Sequence, residues 1–92
     1  MIKEYQRQQQ LNAVLKYFIT ENYDITSIRM VIDAMYKIFS YRNALHQAPT
    51  PEQESLARWS LEDAESVLKA RMHQLCIPEP IKKNIKMYCE TI

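Results

Sequence analysis

A chain of 92 residues without a single glycine has few ways to turn. Glycine is the usual residue at helix C-caps and in hairpin turns, where the backbone takes positive φ. Without it, changes of direction fall to Pro, Asn and Asp. The same absence removes whole classes of function: neither the P-loop nor the dinucleotide fingerprint can be written without glycine. The 4 prolines fall in two pairs, Ala48-Pro49-Thr50-Pro51 and Ile77-Pro78-Glu79-Pro80. Pro49 pushes Ala48 out of helical geometry. Thr50 then caps a new helix, Pro51 takes its first position, and Gln53 completes a Thr-x-x-Gln capping box. The prolines therefore punctuate a helical chain.

The stretch before the first pair, 25–47, predicts the helix on which the others pack. Ile28, Val31, Ile32, Met35, Ile38, Phe39 and Leu45 recur at steps of three and four, so they share one side of a helix. Met30, Ala34, Tyr41 and Tyr36 widen the apolar arc. Only Arg29, Asp33, Lys37 and Ser40 form a polar stripe, with acid–base pairs four apart. An ordinary surface helix has a narrower apolar face; this one needs cover from at least two directions, from its own chain or from a second copy. Asp24 is positioned as its N-cap, with Tyr23 and Ile28 at the two positions of a hydrophobic staple. Arg42 and His46 project from the same side as Met35 and Phe39, as snorkelling and helix-end residues or as polar anchors in a binding surface.

A first helix is expected over 2–22, with Leu11, Val14, Leu15, Phe18 and Ile19 on its buried face. Its N-terminal half puts Glu4, Arg7 and Gln8 on that face, which predicts an overhang that frays or meets a partner. Tyr5 and Tyr17 lie off the stripe and extend its surface. The turn at 22–24 allows only an antiparallel or steeply crossed pair. The third helix, 51–76, would be about 39 Å long. Leu56, Ala57, Ser60, Leu61, Ala64, Val67, Leu68, Met72 and Leu75 make its core face, kept small at the centre so that the helix at 25–47 can approach closely. The opposite face carries the pairs Glu54–Arg58, Arg58–Glu62 and Glu65–Lys69. Trp59 falls on this polar side. Either the first or last helix folds over it, or it is an anchor for a partner, where Trp is over-represented. The last helix, 80–91, sets Ile81, Ile85, Tyr88, Cys89 and Ile92 on one stripe and Lys82, Lys83 and Lys86 on another. The expected fold is all-α: one domain, a small antiparallel bundle of three long helices plus a shorter C-terminal helix.

The formal net charge of +1 provides no field to attract nucleic acid or an anionic membrane. No charge-free run is long enough to span a bilayer. Residues 1–10 are polar and Lys16 interrupts the apolar run that follows, so no secretory leader is read and a cytoplasmic protein is expected. Cys76 and Cys89 are then reduced thiols buried like small hydrophobes. They are not at metal-finger spacing, and His46 and His73 form no paired motif, so neither a metal nor a cofactor is expected. His73 with Cys76 would be a catalytic pair with nothing to orient it.

These observations favour a non-catalytic protein–protein interaction module: an adaptor, inhibitor or regulator acting through an exposed helical surface. The 5 methionines suit an adaptable apolar surface. The contact candidates are Trp59, Arg42, His46, Tyr5 and Arg7, toward another protein, with homodimerisation a further expectation. The alternative is a nucleic-acid-associated regulator using Lys82, Lys83 and Lys86, a less favoured partner because three lysines are few.

Overall fold

The computed structural model describes residues 2–90. They form an all-α bundle of three long helices and a shorter fourth: α1 (Ile2–Thr20), α2 (Ile25–His46), α3 (Pro51–Gln74) and α4 (Glu79–Glu90). The expected N-caps are in place. Asp24 accepts from Ser27 through both its backbone N–H and its hydroxyl, and Thr50 Oγ1 accepts from the Gln53 N–H at 3.2 Å.

Two helices stop two residues earlier than the hydrophobic pattern suggests, for one reason. Asn22 (φ 58°) and Cys76 (φ 53°) sit in the left-handed region. At the end of α1 the Asn22 N–H bonds to the Ile19 carbonyl and the Tyr23 N–H to the Phe18 carbonyl. At the end of α3 the Cys76 N–H bonds to His73 and the Ile77 N–H to Met72. Both are Schellman caps, which normally place glycine at the left-handed position. Asn tolerates that conformation; Cys has no such tendency and bears the steric cost of its Cβ. Ile77, the next residue, is buried and anchors the turn, and Pro78 prevents the helix from resuming.

α2 packs along α3, α1 packs along α4, and α4 also leans on α2. The core runs through all four helices: Val14 and Phe18 of α1, Val31, Met35 and Ile38 of α2, Leu61, Ala64 and Leu68 of α3, and Ile85, Tyr88 and Cys89 of α4. Two aromatic groups mark its ends. At the α1–α2 corner Phe18 and Tyr23 lie 5.0 Å apart by ring centroid. The Tyr17 and Tyr23 hydroxyls meet at 3.3 Å, and the Tyr23 O–H donates to the Leu75 carbonyl at 2.9 Å. This bond ties the corner to the C-cap of α3. At the far end Tyr88 packs 6.1 Å from both Tyr36 and Phe39, and the Arg7 guanidinium lies 4.0 Å above the Phe39 ring.

The structure corrects several expectations. Arg7 is half-buried on Phe39, so the first half of α1 is not an overhang there. Tyr17 is partly buried in the aromatic corner, whereas Ile19, assigned to the core face, is exposed. Leu56 and Val67 are also exposed, because they lie at the edge of the α3 arc and the core is centred on Leu61, Ala64 and Leu68. Cys76 is a free, exposed thiol at the cap, while Cys89 is free and buried. Ile92 lies outside the described residues.

Replacing Cys76 with glycine removes the left-handed penalty at an exposed position. Part of that gain is offset by the greater freedom of glycine in the unfolded chain. Cys76→Gly is expected to raise stability by about 0.5–1 kcal/mol, read as a higher midpoint in thermal unfolding.

The Tyr23 phenol is pushed up to about 12 from its ordinary value of 10.0, first by its bond with Tyr17 and then by burial. The fold therefore prefers the neutral phenol. This contribution is complete below pH 10.0 and is lost as the pH rises toward about 12. Thermal midpoints measured across that window should fall, and should fall less steeply for Tyr23→Phe.

Candidate interaction surface

Trp59 remains the most conspicuous side chain. No helix folds over it: it is 66% exposed, with Leu56 at 64% and Val67 at 46% on the same side of α3. Leu56, Trp59, Asp63 and Val67 follow one another at steps of three, four and four, so they form a single exposed stripe. Isolated exposed apolar residues are ordinary; three large ones along one helix edge, a Trp among them, are less so.

Beside the stripe, between α2 and α3, lies a groove of about 290 Å³. It exists because α3 presents only Ser60 and Ala64 at this level. Met30 and Tyr41 of α2 line its far wall together with the ion pair Asp33–Lys37, 3.0 Å long. Trp59, Val67 and Arg71 line the near wall. Arg71 also donates to Gln74 Oε1 at 3.0 Å. The surface thus combines an indole, small-residue space next to it, and charges of both signs at the rim.

The other sequence candidates lie elsewhere. Tyr5 is exposed on α1, and His46 is exposed in the last turn of α2. Arg42 is half-buried. It reaches Glu65 of α3 at 3.5 Å, and its Nε is buried without a partner. Glu65, expected to face Lys69 within the α3 ladder, is thus engaged with α2, whereas Glu54–Arg58 forms as expected at 2.9 Å. None of Tyr5, Arg7, Arg42 and His46 lines the groove beside Trp59.

A second, larger groove of about 640 Å³ separates α3 from α4. Its floor is Ile38, Leu68, Ile85 and Cys89, which are already buried under the stems of long rim residues. Lys82 and Lys86 stand on that rim with Glu90 of the same helix, opposite Glu62 and Glu65 of α3, and Lys82 lies 3.5 Å from Glu79. All three lysines line a shallow surface at the start of α4 together with Glu79, the acid that Lys82 meets. In the floor, burial pushes the Cys89 thiol up to about 12 against the opposing pull of Arg42. A thiol so far from ionising is a poor nucleophile. Among the described residues no cluster of three metal-ligating side chains occurs, and no helix is long and apolar enough to cross a membrane.

Sequence reasoning located Trp59 but missed Leu56 and Val67. The signal was their position at the border of an arc broader than one neighbouring helix can cover. Compared with protein-family models, curated proteins and solved structures, the chain matches none.

The Arg42–Glu65 pair is long and partly solvated, and pairs of that kind contribute little. Its orphaned Nε adds a desolvation cost. Arg42→Met keeps the stem that packs on the groove floor and removes both terms. It should leave the unfolding free energy within about 1 kcal/mol of wild type, whereas Arg42→Ala, which also removes the stem, should cost more in a denaturant titration.

Proposed function

We propose that this chain is a non-catalytic protein–protein interaction module, an adaptor, inhibitor or regulator, that acts through the exposed face of α3 beside α2. The observation that carries the reading is the exposed Leu56–Trp59–Val67 stripe over the small-residue groove. Leaving an indole in water forgoes about 1.5–3 kcal/mol that burial of a large side chain would contribute. The gain becomes available on association, when a partner covers it. Trp is also the side chain most over-represented among residues that dominate binding energy, because one rigid group supplies a large contact area. The mixed charges around it, Asp33, Lys37, Asp63 and Arg71, would set orientation rather than supply the bulk of the affinity. Tyr5 and His46 are secondary contact candidates on other faces.

Removing the indole separates this reading from a structural role. Trp59→Ala should change the thermal midpoint very little, since the side chain makes few contacts within the fold. With the purified proteins immobilised at equal density, the wild type should retain a binding protein that Trp59→Ala loses by roughly tenfold or more in affinity. A variant that unfolds, or one that binds every ligand of the wild type equally well, would refute the assignment.

A further inference from the structure

One carboxylate in the groove beside Trp59 has no cation to balance it. Of the charged side chains that line the groove, Lys37 is held by Asp33 at 3.0 Å, and Arg71 donates to Gln74 Oε1 at 3.0 Å. Asp63 is exposed and forms no ion pair among the described residues. We propose that the partner of this face presents an arginine to it, with the guanidinium stacked on the Trp59 indole and its N–H fork donating to the Asp63 carboxylate. The proposal rests on the reading of that face as an interaction surface and names the chemistry of its partner.

Helical spacing brings the two groups together. Asp63 follows Trp59 by four residues, so the side chains are neighbours one turn apart on the same edge of α3. The fold itself does not occupy them. Trp59 is 66% exposed and has no ring or cation against its indole among the described residues. Arg58, the cation next to it in sequence, is turned to Glu54 at 2.9 Å. An indole attracts a cation to its face through its quadrupole, and a carboxylate beside it adds a full opposite charge. A planar cation satisfies both at once. The flat face of a guanidinium lies on the ring while its edge donates two parallel bonds to the carboxylate. A lysine ammonium is a compact, more strongly hydrated point charge and has no such edge.

The surroundings define the rest of the partner segment. Ser60 and Ala64 leave room for the stem of the arginine, and Tyr41 of α2 lines the groove with a second ring. Leu56 lies one turn before Trp59 and Val67 one turn after Asp63, both exposed, so apolar residues flanking the arginine find apolar surface on either side. Lys37 and Arg71 line the same groove and repel further cations. The segment that fits is therefore an arginine among apolar residues, not a basic run.

The test titrates the whole chain, into the millimolar range, with a short end-blocked peptide carrying one arginine between leucines. Two matched peptides carry lysine or citrulline in its place; citrulline keeps the shape of arginine and removes the charge. Trp59 is the only Trp of the chain, so all indole emission reports on this site, and backbone amide NMR shifts locate the contact and serve for Trp59→Ala. Both positions are exposed, and circular dichroism verifies that Trp59→Ala and Asp63→Asn fold. The expected result is saturable binding of the arginine peptide at the α3 edge, about fivefold tighter than the citrulline peptide, with lysine between them. Asp63→Asn should abolish most of that preference, and Trp59→Ala should weaken the arginine peptide by a similar factor. Equal binding of the arginine and citrulline peptides, indifference to Asp63→Asn, shifts confined to another face, or no saturable binding overturns the proposal. The reading of the face as an interaction surface falls separately, if Trp59→Ala retains every binding protein of the wild type.

Discussion

Everything in this fold follows from the need to cover α2. Its apolar residues span most of its circumference, and Val31, Met35 and Ile38 are almost wholly buried. Burying such side chains contributes about 1.5–3 kcal/mol each, and one neighbouring helix cannot reach them all. α3 covers one flank, brought close by Ala57, Ser60 and Ala64. α4 covers another through Ile85, Tyr88 and Cys89. α4 has an apolar stripe of its own, and α1 closes over it. The bundle is therefore layered, with α3 on α2, α2 against α4, and α4 against α1. The polar stripe of α2, including the Asp33–Lys37 pair, is left to water and to the groove beside Trp59.

Polar chemistry serves this packing at its margins. The Tyr23 O–H donating to the Leu75 carbonyl satisfies one of the last acceptors of α3. It joins two helix ends distant in sequence. At the other margin Arg7 contributes a cation over Phe39 beside Tyr88, so one charged side chain links α1, α2 and α4. Burial raises the Tyr88 phenol above its ordinary value, and the nearby Arg7 offsets part of that rise.

Much of the architecture was legible in the residues. N-termini were readable because Asp24, Thr50 and Pro51 signal them chemically. C-termini were less so: Asn22 at a left-handed position is familiar, but nothing in the identity of Cys76 announces that its backbone takes positive φ. The cap is set by burial of Ile77 and by Pro78, which is a property of the neighbourhood. Helical period likewise showed which residues of α3 share an arc, but not how much of the arc is covered. Leu56 and Val67 looked like core on that criterion, and became surface because α2 and α4 leave the edge of α3 bare. Arg7 misled in the opposite sense: a cation on an apolar face reads as overhang until an aromatic ring is found beneath it. The candidate site was thus half visible, as one misplaced Trp, and its other half depended on how the helices pack.

The layering also orders events in time. α2 and α3 are joined by the four residues 47–50 and share a large contact, so they can pair as soon as both are synthesised. α1 differs, because its principal cover is α4, and residues 21–78 lie between them. During synthesis on the ribosome, Phe18 can meet Tyr23 early, but the core face of α1 lacks its principal cover until α4 has emerged. A nascent chain stalled within α3 would present that face of α1 to chaperones, and completion of α4 would withdraw it.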